Sequence, residues 1–237
     1  MVQKRGQMAY YRNTKEKQNR GEGHGADYVP YVKVNDFNSL GTTCNPVDWK
    51  TGRTIHLLSQ GEMYMYYLLR WNDEVVDIRE QYPLDLETTV ALAKELGIRH
   101  PKNNSTRMTS DLLVDYENGI HEVYSIKRSA KDLENTRTRD KLLLEELYWT
   151  RQGIKFQTVL TESLDVSTVT NIRLAIEFYK IEDVYDEISF IKHLIATKQI
   201  QVDLTKGLID YSELRKELAL DENYCSIKCR EYPQIEY

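Results

Sequence analysis

The stretch TSDLLVDY, Glu117-Asn118-Gly119 and IHEVYSIK, residues 109–127, constrains this chain more than any other. Two runs of β-branched, apolar and alternating polar residues flank a short loop that ends in glycine, the pattern of an antiparallel hairpin. With Glu117, Asn118 and Gly119 as a three-residue loop and Gly119 left-handed, Tyr116 lies opposite Ile120 and paired positions sum to 236. Asp111 then faces Ser125. Side chains alternate along a strand, so Asp111, Ser125 and Lys127 share one face, while Ile126 points the other way and leaves its main-chain carbonyl at a sheet edge. A two-residue Asn-Gly turn would pair Asp111 with Ile126 instead and break the cluster. The register therefore carries the argument.

An aspartate and a lysine on adjacent strands matter because phosphodiester hydrolysis needs divalent metal held by converging carboxylates, with a positioned cation nearby. A second carboxylate is available from Glu62, at the start of a helix expected from Ser59 to about Trp71 on the stripe Met63, Tyr66, Tyr67 and Leu69. Ser59-Gln60-Gly61-Glu62 also matches a capping box, in which the glutamate only serves the helix end. Taken singly, Asp111 reads equally as a strand-start residue and Lys127 as a solvated charge.

Around the hairpin, VVDIREQYPL (75–84) alternates with Val76, Ile78, Glu80 and Tyr82 on one face and stops at Pro83, as a strand near a sheet edge does. A short helix in ETTVALAKELG closes at Gly97, a longer amphipathic one spans 137–152 and stops at Gly153, and KFQTVLTE reads as a strand. The order gives an α/β domain, a mixed sheet flanked by helices, ending near residue 165. WKTGRTIHLL suggests a hairpin or strand around Lys50–Gly52. The alternating glycines of GEGHGADYVP (21–30) have no strand before them and no helix after, which excludes a dinucleotide loop and suggests a flexible hinge. Beyond 165, helical runs at 168–180, 184–197 and 211–219 with a short strand at IQVDL suggest a small winged-helix-like domain over 166–237.

Apolar residues at 41% and charged residues at 29% describe a chain that folds. A net charge of −5 speaks against a nucleic-acid partner until its distribution is considered. Residues 1–20 hold Lys4, Arg5, Arg12, Lys15, Lys17 and Arg20 against Glu16 alone, an arm suited to a phosphate backbone or simply a solvated terminus. Residues 168–237 hold nine basic against thirteen acidic residues, the balance of a protein-docking module. No apolar run approaches the roughly 18 residues of a membrane helix and the N-terminus lacks a signal-peptide core, so a cytoplasmic protein with no membrane partner is expected. Cys44, Cys225 and Cys229 cannot pair evenly and lack a second metal-ligand pair; free thiols are expected.

The strings GEGHGADYVPY, TGRTIHLLSQGE, VVDIREQYPLD, GIRHP, TSDLLVD, SIKRS and KLLLEELYW stand in the order and approximate spacing of the TnsA endonucleases of heteromeric cut-and-paste transposases, which the chain resembles over about residues 19–160. The resemblance implies a restriction-endonuclease-like domain with catalytic Glu62, Asp111 and Lys127, and Mg²⁺, with Mn²⁺ as a substitute. Its metal ligands would be Glu62, Asp111, Ser125 and the Ile126 carbonyl. It further implies a role in cutting the 5′ strands of double-stranded transposon ends, alongside a TnsB-like DDE transposase, with the C-terminal domain docking on a TnsC-like AAA+ ATPase. The chain departs from the pattern at Ser125, where such nucleases usually place Glu or Gln. Serine is shorter and neutral, so a non-catalytic subunit bridging transposase and ATPase is the rival expectation. A stand-alone transcription regulator is disfavoured by the acidic C-terminal part.

Overall fold

The computed structural model describes residues 14–36 and 42–218, in two compact units, Met1–Leu164 and Asp165–Tyr237. Lys4, Arg5, Arg12, Cys225 and Cys229 lie outside the described residues, and Cys44 is a free thiol. No helix among the described residues is long and apolar enough to cross a membrane.

The first unit is built on a four-stranded sheet in the order β1 (Val75–Pro83), β2 (Thr109–Tyr116), β3 (His121–Lys127), β4 (Lys155–Leu160). The first two neighbour pairs are antiparallel and β3–β4 is parallel. A parallel pair needs a crossover, and helix α3 (Thr136–Thr150) supplies it. Helix α1 (Gln60–Trp71) precedes β1, and α2 (Leu86–Glu95) joins β1 to β2. Trp149 of α3 packs with Leu113 and Val123 on one face of the sheet, whereas α1 meets the opposite face at Ile126. Leu144 of α3 joins Leu84, Leu92, Ala93 and Met108 in a second apolar cluster under α2.

The hairpin has the expected register: Leu112 pairs with Tyr124 and Asp115 with His121, all summing to 236. Gly119 is left-handed at φ 78° and Tyr116 donates to the Ile120 carbonyl at 3.0 Å. Two details of the strands differ from expectation. β3 is an interior strand, paired on its far side with β4, so the Ile126 carbonyl is not at a sheet edge. On β1 a register shift between Val75 and Asp77 turns Val76 outward, 55% exposed, and breaks the simple alternation.

The glycine segment is docked rather than a hinge. Gly21 donates to Val29 O and Val29 to Glu22 O, closing the segment on itself. The Gly25 amide donates to Asp77 Oδ2 at 2.9 Å, and the buried Tyr28 hydroxyl to Glu80 O at 3.0 Å, which ties the segment to β1. Gly21, at φ 88°, lies so close to Pro83 that an added Cβ would fall 2.2 Å from its Cγ. Glycine is required there because of contact and backbone sign together.

Under the same strand, Glu80 is fully buried and takes two bonds from Arg53 at 2.8 Å and one from the His56 amide at 2.9 Å. This fixes the segment before α1, in which Cys44 bridges Leu57 and Val47 bridges Thr54 around the turn expected at Lys50–Gly52. A buried charge with three donors is satisfied where an unpaired one would be expelled.

In the second unit α4 (Val166–Ile176), α5 (Glu187–Ala196) and α6 (Tyr211–Glu217) are helical. The strand expected at IQVDL is not formed. At its end, buried Asn171 donates from Nδ2 to Leu204 O and Gly207 O and accepts at Oδ1 from the Ile209 amide, so these three backbone groups are satisfied by a side chain.

Gly21→Ala should therefore lower stability by about 2–4 kcal/mol, combining left-handed strain with overpacking against Pro83. Gly25→Ala, at φ 54° with nothing within 4 Å of the new Cβ, should lose only about 1–2 kcal/mol. Thermal denaturation of both separates docking from a hinge, in which the two would behave alike.

Candidate active site

The β2–β3 ladder runs from Asp115–His121 to Leu112–Tyr124 and then stops. One residue further, the Ile126 amide finds the Asp111 carboxylate, donating to Oδ2 at 2.7 Å. The amide and carbonyl of a strand residue point the same way, so the Ile126 carbonyl also faces this opening. There Lys127 folds back, its Nζ 2.9 Å from Ile126 O, 2.8 Å from Ser125 Oγ and 3.5 Å from Asp111 Oδ2. Ser125 Oγ lies 3.4 Å from the same carboxylate oxygen. The structure thus brings Asp111, Ser125, Ile126 and Lys127 together. Lys127 is only 14% exposed at its side chain, which corrects the view of it as a solvated charge.

Glu62 comes from the first turn of α1, where Ser59 caps the helix by accepting from the Glu62 amide at 3.2 Å. Its carboxylate accepts from the Leu58 amide at 2.8 Å, from the Ser59 hydroxyl at 3.0 Å and from Gln81 Nε2 at 3.3 Å. Capping and a place beside Asp111 are compatible. Burial, followed by the charge of Asp111, pushes the Glu62 pKa up to about 8 against those three donors. A buried carboxylate whose ionisation is opposed by a neighbouring negative charge is stabilised as the anion by a cation beside it. All three bonds to Asp111 fall on Oδ2, and Oδ1 takes none of them. A hard, oxygen-seeking divalent ion fits this donor set.

Three supporting features were not visible in the sequence. Gly61 lets α1 approach β3: a Cβ there would lie 2.0 Å from Thr161 Oγ1 and 2.7 Å from Ile126 Cγ2. Thr161 is itself fixed by its bond to Lys127 O at 3.1 Å. Gln81, buried in β1, adopts φ 50° and is held by Thr109 Oγ1 at 3.0 Å while its amide reaches Glu62. A left-handed non-glycine residue inside a strand is the kind of local strain that gathers at functional sites. On α3, Glu145 is fully buried with neither carboxylate oxygen at hydrogen-bonding geometry. Burial raises its pKa to about 7, Lys141 opposes the rise, Asp111 adds to it, and the nearby Ser110 hydroxyl favours the anion. Charged residues four apart on the inner side of a helix, between Leu142, Leu144 and Trp149, were the signal available for it.

Of the basic arm, Lys15, Lys17 and Arg20 fall among the described residues. Arg20 and Lys15 both pair with Asp36, and Lys15 also lies over the Tyr31 ring, so these two cations are engaged within the unit. Lys17 is exposed. Elsewhere, His24, Asp77 and Asp115 form a cluster with metal-ligand spacing. Arg79 already takes both Asp115 oxygens at 2.7 Å and lies 3.8 Å from Asp77, so the cluster reads as an ion-pair network.

A mixed sheet whose central ladder opens around an aspartate and a lysine, with a helical glutamate beside them, is the architecture of a restriction-endonuclease-like domain. Residues 72–162 match the family described as TnsA-like endonuclease N terminal. The transposon Tn7 transposition protein TnsA of Escherichia coli is 40% identical over 141 residues, covering 58% of this chain and 52% of that protein. The chain is thus similar to TnsA proteins through this stretch, and it spans about half the length of this curated relative.

Alanine at an exposed helix position normally stabilises relative to glycine by about 1 kcal/mol. Gly61→Ala should instead destabilise by about 1–3 kcal/mol, because α1 must move off Ile126 and Thr161. A higher melting temperature for the variant would show that Gly61 is not a close-approach position.

Proposed function

We propose that this chain is a Mg²⁺-dependent endodeoxyribonuclease that cuts the 5′ strands at transposon ends, working with a TnsB-like DDE transposase and a TnsC-like AAA+ ATPase in the cytoplasm. The observation that carries the reading is the convergence of Asp111, the Ile126 main chain and Lys127 at the opened ladder, with Glu62 buried beside them. The match of residues 72–162 to the TnsA-like endonuclease family and the relative's description as a transposition protein support the substrate and the partners.

Glu62, Asp111 and the Ile126 carbonyl would hold the metal, with Ser125 contributing at most through its hydroxyl. When bound, Mg²⁺ supplies charge neutralisation at the phosphate and a more acidic water. The residues of the chain do the rest. Asp111 is fixed by the Ile126 amide and keeps its other oxygen for the ion. Lys127 neutralises charge that develops on the phosphate and orients the attacking water from a position set by Ser125 Oγ and Ile126 O. One water adds across a P–O bond, leaving a hydroxyl on one fragment and a phosphomonoester on the other. The small size of Ser125 is compatible with this role, because a longer side chain would occupy the place into which Lys127 folds.

Asp111→Asn keeps an acceptor for the Ile126 amide but loses the charge, and Lys127→Ala loses the cation. Each should reduce 5′-strand cutting in the presence of the partner transposase by a factor on the order of 10² or more, with an unchanged circular-dichroism spectrum. Asp111→Asn should also abolish Mn²⁺ binding in a calorimetric titration. Undiminished cutting in either variant would move the active site elsewhere. Wild-type protein that binds no metal and cuts nothing would favour the non-catalytic bridging role.

A further inference from the structure

We propose that Lys102, Arg137 and Lys141 form a track for the DNA phosphate backbone leading to the opened ladder at Asp111, so that the chain's DNA-contacting surface lies on the 98–107 loop and the first half of α3. The inference rests on the nuclease reading above and adds to it the surface along which the substrate lies.

The geometry begins with His100, a buried ring that organises the loop. Its Nε2 lies 3.2 Å from Thr89 Oγ1, and its Nδ1 accepts from the amides of Lys102 and Asn104 at 3.3 and 3.2 Å. Arg137, in the first turn of α3, donates to Pro101 O at 2.8 Å, which places its guanidinium beside Lys102. Lys141 follows Arg137 by four residues and so stands on the same helix face one turn further in. Among the described residues none of the three makes an ion pair within 4 Å, although the chain is acidic overall. Arg137 and Lys102 are both exposed.

The electrostatics agree. Although Lys102 as a whole is exposed, desolvation around its amine lowers its pKa, and the neighbouring charges of Lys141 and Arg137 lower it further. Lys15 also feels Lys102, after burial, the attraction of Asp36 and the repulsion of Arg20. Burial would lower the Lys141 pKa as well, but Glu145, Asp111 and Glu62 together raise it. Lys141 therefore joins the cations to the acids of the active site. In addition, α3 has no acid in its first turn and carries Arg137 and Arg139 there, the wrong sign for a helix N-terminus. The unpartnered like charges of Lys102 and Arg137, held side by side with Arg137 at the positive end of a helix dipole, are unfavourable in the free protein, whereas Lys141 is held by the acids of the site. A polyanion relieves them, and the repeating phosphates of duplex DNA match a row of cations.

The test is binding of a fluorescein-labelled 20-base-pair duplex to the full chain, followed by anisotropy in EDTA over a series of salt concentrations. The variants are the Lys102→Gln/Arg137→Gln pair, Lys180→Gln as an exposed control in the second unit, and Asp111→Asn. The double variant should bind roughly tenfold more weakly at moderate salt, and its plot of log K against log salt should be shallower by about 1.8, or about 0.9 for each lost phosphate contact. Its melting temperature should hold or rise, because repulsion is relieved. Lys180→Gln should match wild type, and Asp111→Asn should retain binding while losing cutting. An unchanged slope and affinity in the double variant, with wild type binding normally, overturns the track and leaves the nuclease site standing. No binding by wild type even at low salt, or full cutting by Asp111→Asn, overturns the nuclease reading and the track with it.

Discussion

The hydrogen bond from the Ile126 amide to Asp111 is the point on which the first unit turns. At Leu112–Tyr124 the central ladder ends, and a partly buried backbone donor must find an acceptor elsewhere. By supplying it, Asp111 fixes its own carboxylate and keeps β2 and β3 in register beyond the last backbone pair. The Ile126 carbonyl, on the same side of the strand, is then within reach of Lys127. Structural need and chemical arrangement are met by the same atoms, so a replacement at Asp111 leaves the sheet beside it undisturbed only if it keeps an acceptor for the Ile126 amide.

What surrounds that bond is built close to its tolerance. Glu62 is buried next to a like charge, Gln81 adopts a backbone conformation uncommon for its type, and Gly61 allows a helix to approach a strand with no room for a methyl group. Each is unfavourable in isolation. They persist because the surroundings determine them: three donors on Glu62, Thr109 on Gln81, and the Thr161 bond to Lys127 O opposite Gly61. The Arg53–Glu80 pair and the docked glycine segment anchor β1 from outside, which keeps Gln81 where Glu62 can use it.

The parts of this arrangement that follow local rules were legible in the sequence. Gly119 and alternating strands give the register, Ser59 gives the start of α1, and Gly97 and Gly153 give helix ends, because each depends on neighbours only a few residues away. Features decided by distant partners were not. GEGHG looks like a linker until Pro83 and Asp77 are placed against it. IQVDL has strand character, yet no strand forms there, and the Asn171 side chain bonds the backbone at its end. The interior position of β3 depends on β4, some thirty residues later, and α3 hid Lys141 and Glu145 inside a pattern that otherwise reads as an ordinary amphipathic helix.

Charge illustrates the same division between local and global information. A net charge of −5 suggests a protein repelled by DNA, yet at physiological salt a charge is felt over only about 8 Å, so the sum over the whole chain says little about any one surface. What matters is which cations already have partners. Asp36 engages Lys15 and Arg20, Asp115 engages Arg79, and Glu80 engages Arg53; these basic residues serve the fold. Lys102 and Arg137 have no such partner among the described residues, and with Lys141 they lead toward Asp111 and Glu62. An acidic chain can thus keep a local positive surface, since among the described residues several of its acids are used in pairing cations elsewhere.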